Sequence, residues 1–411
     1  MLKWLLLDLN SYFASCEQQA DPQLRGKPIA VVPLLTDSTC VIAASFEAKK
    51  FGIKTGTSVR DAKKMCPALI LKTGNHKLYT EFHHKIIAAI EDILPIKKIL
   101  SIDEVACELI GREREFENAK KIAQRMKDHI QKAVGQEIKS SVGIGPNILI
   151  AKIASDMQKP DGLVMVTTEQ IMEKIGPLPI EAIPGVGRQM KFRLNAKNYF
   201  IIADFIKTPE QELKKHWGSL WGLRISKELA GEDLSSSKNS NPNSLKKSLS
   251  HQHVLPPNLR TPEKSFLVVT KLLLKAAARL RDEKLKTRKL SVYVKCQDGT
   301  RFEKSVSFSD TDDTYFLAKE LKKIWGIDAH KKPLKVAIAL SDLINGPAQM
   351  SLFDNPKTKS INQALDAINM RFGTNTLFLA STQEVLSHAK TRISFSHVPK
   401  LSDEFDEDSS F

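Results

Sequence analysis

The chain has 411 residues, 42% hydrophobic and 27% charged, with a formal net charge of +15 and a pI near 9.4. That length predicts two to four domains, and the charge favours a polyanionic partner, either nucleic acid or an anionic membrane surface. No run approaches the ~18 apolar residues of a membrane span, and the five cysteines (Cys16, Cys40, Cys66, Cys107, Cys296) are odd in number and lack a CxxC, which argues against a structural zinc site and for a reducing cytoplasm.

In chain order, "WLLLDLN" (4–10) has the length and apolar character of a buried strand, and its Asp separates it from a signal peptide. "SYFASCEQQ" then opens a helix near Asn10 or Ser11. "GKPIAVVP" and "TCVIAAS" predict two more strands, "FEAKKFGIKTG" a helix closed by glycine, and "SVRDAKKMCP" a short helix stopped by Pro67. Residues 76–94 carry apolar side chains at helical spacing, and "IKKILSIDEVACELIG" returns to strand character. "EFENAKKIAQRMKDHIQKAVG" predicts an amphipathic helix ending at Gly135, and "SSVGIGPNILIAKIASDMQKPDG" a strand, a glycine turn and a helix. Such alternation predicts an α/β or α+β domain. Short helices, with "AIPGVGRQ" in a turn, occupy 168–233, and the Ser-, Asn- and Lys-rich stretch 234–248 reads as a linker. Two amphipathic helices ("SFLVVTKLLLKAAARLRDEK", "TYFLAKELKKIWG") and strands ("LSVYVKC", "RFEKSVSF", "LKVAIALSDL") predict a small α+β domain near 249–343. A loop-like stretch, one helix ("INQALDAINMRFG") and an acidic, disordered end follow.

Three acids stand out. Asp8 closes one apolar strand, and Asp103 with Glu104 interrupts another. Charged side chains inside apolar runs are rarely buried unless paired or bound to metal. Two readings are open: neighbouring strands bring the acids together around a hard divalent ion such as Mg²⁺, or the acids cap helices and pair with lysines. Successive strand residues point to opposite faces, so Asp103 and Glu104 share a site only where the strand bends or ends.

An ordered series of segments resembles the Y-family translesion DNA polymerases, the group of bacterial DNA polymerase IV and UmuC-like enzymes. The series is "LDLNSYFASCEQ" (7–18), "LRGKPIAVVP" (24–33), "CVIAASFEAKKFGIKTG" (40–56), "LSIDE" (100–104), "SVGIGPNILIAKIASDMQKPDG" (141–162) and "IPGVG" (183–187), with "ALDAINMRFGTNTLF" near 364–378. The resemblance implies a multidomain α+β right hand. Its palm is 1–20 and 76–167, a mixed sheet plus helices, and its small fingers are 21–75. A helical helix-hairpin-helix thumb spans 168–233, a linker 234–248, an α+β little finger 249–343 and a flexible tail 344–411. It implies template-directed addition of dNTPs to a primer 3′-hydroxyl past damaged bases, with two Mg²⁺ ions bound by Asp8, Asp103, Glu104 and the carbonyl of Leu9. The backbone amides of Tyr12 and Phe13 would face the triphosphate, and the ring of Phe13 would exclude a 2′-hydroxyl. Lys159 would bind phosphate. Phe46 and Lys49 stand where many relatives carry Tyr and Arg, so Phe46 has lost a hydroxyl donor while Lys49 keeps a point charge. Asn10 replaces a second Asp and implies no further ligand.

The same resemblance makes Gly185, Gly187 and Arg188 the phosphate contacts of the thumb. The Lys- and Arg-rich start of the little finger suits tracking of primer-template DNA. "QMSLFD" resembles the bacterial sliding-clamp peptide, with Gln349 as the hydrogen-bonding residue and Leu352 and Phe353 as anchors. A monomer is expected, with no membrane partner and with room for a UmuD-like accessory subunit. The rival expectations are a non-catalytic DNA- and clamp-binding adaptor and a different two-metal enzyme, such as a nucleotide cyclase, on a palm-like fold. The adaptor reading sits poorly with three intact acids.

Overall fold

The computed structural model describes residues 1–37, 39–217, 220–235, 246–345, 356–373 and 375–389. The chain divides into two compact units, whose described parts are 1–235 and 246–389. Among the described residues, no helix is long and apolar enough to cross a membrane.

The described residues of the first unit hold eight strands: β1 (Trp4–Leu9), β2 (Ile29–Val32), β3 (Ala43–Ala44), β4 (Ile70–Thr73), β5 (Ile96–Ile99), β6 (Glu104–Glu108), β7 (Ser140–Gly145) and β8 (Leu163–Met165). They form a five-stranded sheet, β5-β6-β1-β7-β8, and a small one, β3-β2-β4. β1 is the central strand of the larger sheet, antiparallel to both neighbours, and all six of its residues are buried. Alternation divides them between the two faces. Leu5, Leu7 and Leu9 join a core with Ile86 and Ile90 of the helix His76–Glu91 and Met126 and Ile130 of the helix Phe116–Ala133. Trp4 and Leu6 face the other way, against Ala106 of β6 and Ala151 of the helix Ile148–Met157. Each such apolar side chain stabilises by roughly 1.5–3 kcal/mol when buried. Asp8 continues the Trp4 and Leu6 row and comes beneath that same helix.

The helix can lie so close because β7 lacks side chains where they touch. A Cβ at Gly143 would sit 1.9 Å from the Ala151 carbonyl oxygen, and one at Gly145 would sit 2.8 Å from Ile150. Further helices, including Arg188–Asn195, Ile202–Ile206 and Leu220–Leu229, build a separate core around Ile183, Leu194, Phe205 and Leu229.

The structure differs from the sequence reading in several places. The stretch 96–109 is a hairpin, with β5 and β6 antiparallel and Ile99 opposite Val105. Asp103 therefore precedes β6, where the expectation had it and Glu104 interrupting one strand. "TCVIAAS" supplies only the two-residue β3, and "FEAKKFGIKTG" only one helical turn, Phe46–Lys49. β4 and β8 were not anticipated, because each is a short parallel-paired segment whose partner lies far away in sequence.

The second unit holds β9 (Ser248–Val254), β10 (Leu285–Cys296), β11 (Arg301–Thr311), β12 (Pro333–Ser341) and β13 (Ile344–Asn345). The sheet order is β11-β10-β12-β9, with β13 paired to β10. Leu290, Val292 and Val294 pack under the helices Pro262–Asp282 and Thr314–Ile324, while Lys289, Ser291, Tyr293 and Lys295 alternate onto the opposite face. β9 was hidden in sequence because its polar pattern abuts the linker.

Within the stretch expected as a flexible tail, residues 356–373 and 375–389 pack on this unit. The helix Pro356–Phe372 receives a two-point ion pair, Arg281 Nε to Asp366 Oδ2 at 2.5 Å and NH2 to Oδ1 at 2.8 Å. The buried Lys271 donates to the carbonyls of Leu386 and, at 2.8 Å, His388. Asp366→Ala is expected to destabilise this unit by about 2 kcal/mol, since it removes the carboxylate paired with a half-buried guanidinium. The urea midpoint of the full chain measures this, and an unchanged midpoint would show that the helix adds nothing.

Candidate active site

The register of the central sheet sets Asp8 directly opposite Glu104 on β6 and Ser141 on β7. Directly opposed residues share a face, so the two carboxylates point the same way. Asp103, one residue earlier, lies in the hairpin turn, and its carbonyl accepts the Leu9 amide at 2.9 Å. The turn is how adjacent residues reach one site: Asp103 has left the alternation that Glu104 begins. Two further bonds fix it. His83 Nδ1 meets the Ile102 carbonyl at 2.7 Å, and the Ser101 hydroxyl donates to Asp103 Oδ1 at 2.6 Å.

A lysine not singled out from sequence lies between the acids. Lys152, on the helix Ile148–Met157, bonds Asp8 Oδ2, Glu104 Oε1 at 2.8 Å and Asp156 Oδ2 at 3.2 Å. Lys159 bonds Asp8 Oδ1 and Asp156 Oδ1, each at 2.7 Å. The one available signal was the spacing of Lys152 and Asp156, one helical turn apart beside the phosphate-type lysine. Burial pushes the Asp103 carboxyl above the ordinary range, with Asp8 adding to the rise and Ser101 opposing it. Burial likewise raises Glu104, against the pull of Lys152. For Lys152, burial alone would lower the pKa, but Asp8, Glu104 and Asp156 overcome it and hold the ammonium above the ordinary lysine range.

These donors suit a hard cation: they are carboxylates, and the cation between two of them is already an ammonium. As they stand they do not converge on one point. Asp103 turns to Ser101, and among the described residues no three acidic, histidine or cysteine side chains form a metal-sized cluster.

Beside the acids the chain turns sharply at Ser11 (φ 50°) into the helix Tyr12–Ala20, with no side-chain cap on its first amides. The buried Ser11 hydroxyl has no hydrogen-bond partner among the described residues. Phe13 stacks on Tyr79 with centroids 4.4 Å apart and planes at 17°. Tyr12 points into the core, its hydroxyl donating to the Tyr79 carbonyl at 2.6 Å. Lys49 lies 5.2 Å over the ring of Phe46. Loss of water around its ammonium and the charge of Lys159 lower its pKa, while Asp8 opposes them. The structure thus groups Asp8, Asp103, Glu104, Lys49, Lys152 and Lys159.

Elsewhere, Gly185 takes a left-handed φ of 92°, where a Cβ would also meet Trp221 at 3.3 Å. The Gly187 amide donates to the Gly185 carbonyl at 3.2 Å. Gln349, Leu352 and Phe353 lie outside the described residues.

Residues 7–156 match the impB/mucB/samB family, and residues 246–352 match its C-terminal domain. The DNA polymerase IV of Pelotomaculum thermopropionicum is 33% identical over 390 residues, 92% of this chain and 94% of that protein. The chain belongs to the Y family of DNA polymerases. The DNA polymerase IV 1 of Bacillus subtilis is 27% identical over 92% of both chains. A solved Y-family polymerase chimera of Dbh and Dpo4 matches the fold with a TM-score of 0.68 at 24% identity, over 84% of this chain and 100% of its own. The α+β right-hand architecture is that of these polymerases, which are metal-dependent nucleotidyltransferases.

The raised carboxyl of Asp103 fixes the sign of a stability effect in this polymerase. A carboxylate whose folded pKa exceeds its unfolded one destabilises the fold when ionised. That cost is fully present above the folded pKa and vanishes below the unfolded one. Asp103→Asn is therefore expected to stabilise the protein by about 1 kcal/mol near pH 7.5, with the gain disappearing toward pH 3. Thermal melts in EDTA across that range check it; a lower melting temperature at pH 7.5 would contradict it.

Proposed function

We propose that Asp8, Asp103, Glu104 and the Leu9 carbonyl hold two Mg²⁺ ions and that Lys49 and Lys159 bind the triphosphate of an incoming dNTP. The chain is a DNA-directed DNA polymerase acting in translesion synthesis, and the adaptor reading is set aside with it. The observation that carries the site assignment is the pair Asp8 and Glu104, opposed across a buried strand pair and already gripping one cation. Bound there, the ions would supply Lewis-acid activation of the primer 3′-hydroxyl and neutralise charge on the pyrophosphate leaving group.

The protein's own residues do the positioning. Lys152 can shift its ammonium toward Asp156, 3.2 Å away, leaving the oxygens of Asp8 and Glu104 for an ion. Lys49 and Lys159 draw the triphosphate to one side of the acids, where the first amides of the helix Tyr12–Ala20, those of Tyr12 and Phe13, can donate to it. Phe46 contributes its ring face under Lys49 in place of a hydroxyl. The Phe13 ring, fixed by Tyr79, presents a flat wall against a 2′-hydroxyl.

In this reading residues 1–20 and 76–167 form the palm, 21–75 the fingers, 168–233 the thumb, 234–248 the linker and 249–343 the little finger. The larger sheet of the first unit falls within the palm range and β3-β2-β4 within the fingers. Gly185, Gly187 and Arg188 approach the DNA backbone from the thumb. The open face of the β9–β12 sheet brings Lys289, Lys295, Arg301 and Lys335 to aligned positions, a sequence-independent phosphate surface. A solved Dbh polymerase structure of like fold is an insertion ternary complex, with a TM-score of 0.56 at 23% identity, in keeping with primer-template DNA and dNTP as partners here.

Asp103→Ala is expected to lower Mg²⁺-dependent extension of a primer on an abasic template by at least about 10³-fold, with DNA affinity within about twofold of the parent's. Near-normal extension would overturn the metal assignment. For the clamp peptide 349–353, Phe353→Ala is expected to abolish stimulation by the sliding clamp and leave clamp-free extension intact. Undiminished stimulation would discard that motif.

A further inference from the structure

The turn that carries Lys159 is held from below by a buried lysine. Lys127 lies on the helix Phe116–Ala133 beside the inward-facing Ala123, Met126 and Ile130, and is 6% exposed. A buried ammonium must recover its lost hydration from specific partners. Its Nζ donates to the Asp161 carbonyl and, at 3.3 Å, to the Gly162 carbonyl, and lies 3.1 Å from Asp161 Oδ1.

The same turn is held from the opposite side. The Asp161 amide donates to Asn10 Oδ1 at 2.8 Å, and the Gly162 amide to Ser141 Oγ at 3.3 Å. Asp161 keeps a left-handed φ of 59°. At Gly162 a Cβ would sit 1.8 Å from the Gln158 carbonyl oxygen, so only glycine fits. These contacts pin residues 158–162 between two layers of the domain, while the Lys159 side chain runs out to Asp8 and Asp156.

We propose that Lys127 is a positioning residue for the incoming nucleotide, holding the 158–162 turn so that Lys159 meets the triphosphate already in place. The inference rests on the reading of Lys159 as a phosphate ligand. A loosened turn would have to be ordered again whenever a nucleotide binds, which weakens ground-state binding. The signature is therefore a raised KM for dNTP with kcat little changed.

Single-nucleotide insertion kinetics on one primer-template, with Lys127→Met, Ser141→Ala, Lys159→Ala and the double variant Lys127→Met/Lys159→Ala, test this. Lys127→Met is expected to raise KM for dNTP about tenfold, with kcat and DNA affinity within about twofold. The double variant is expected to be no worse than Lys159→Ala alone, because a turn without its lysine has nothing left to position. Ser141→Ala removes one hydroxyl from the other side and is expected to raise KM roughly threefold. It decides the matter if Lys127→Met fails to fold. An unchanged KM in Lys127→Met, or in Ser141→Ala where Lys127→Met does not fold, overturns the proposal. So do multiplicative effects of the Lys127 and Lys159 substitutions. A raised KM in Lys159→Ala alone then leaves the phosphate reading standing. An unchanged KM in Lys159→Ala overturns that reading and the positioning role with it.

Discussion

The ammonium of Lys152, lodged against Asp8 and Glu104, is the contact on which the site depends. The sheet register puts two carboxylates side by side on a buried face, and like charges directly opposed are destabilising. At an effective dielectric of about 20, unit charges 4 Å apart interact by about 4 kcal/mol, comparable to a large part of a domain's net stability. A cation between them therefore offsets a cost that this strand pairing would otherwise carry. The chain provides one by bringing a helix to within backbone contact of β7, and only the glycines at 143 and 145 allow that approach. The packing of one helix and the charge balance of Asp8 and Glu104 are thus a single constraint.

That constraint explains why the site is ready for a cation and still folds. Lys152 has a second partner in Asp156, on its own helix, so it can give up Asp8 and Glu104 without losing every counter-charge. Asp103 is held differently, by a serine hydroxyl and by a hairpin turn pinned through Leu9 and His83. Two of the acids are thereby set by strand pairing and one by a turn.

Much of this was legible in the sequence because motif order carries information that single residues lack. Asp8, Asp103, Glu104, Lys49 and Lys159 are far apart in the chain, yet the structure gathers them, and the strand character of 4–10 and the helix of 148–157 follow from apolar runs alone. The bend at Asp103 was not legible. "ILSIDEVACEL" has the composition of one continuous strand, and its hairpin depends on pairing between β5 and β6 and on a histidine twenty residues upstream. Lys152 carries little signal in the sequence for a related reason. In a chain this basic, a lysine acquires meaning only from the acids it faces, and those lie on strands more than 40 residues away. The helix Pro356–Phe372 was visible as a helix, but its docking turns on Arg281, a residue that looked like one more cation in a basic stretch.

Asn10 shows how the charge constraint reaches past the acids. Its side chain donates to Ser141 Oγ at 3.0 Å and to the Asp8 carbonyl at 3.4 Å, and accepts from the Asp161 amide. An aspartate at this position could accept from Asp161 but could not donate to either oxygen. It would also add a further negative charge to a buried cluster whose nearby cations, Lys152 and Lys159, are already shared among Asp8, Glu104 and Asp156. The carboxamide keeps the shape and the acceptor while leaving that balance undisturbed. The neutral residue beside the acids thus serves to tie the strand that carries Asp8 to the turn that carries Lys159.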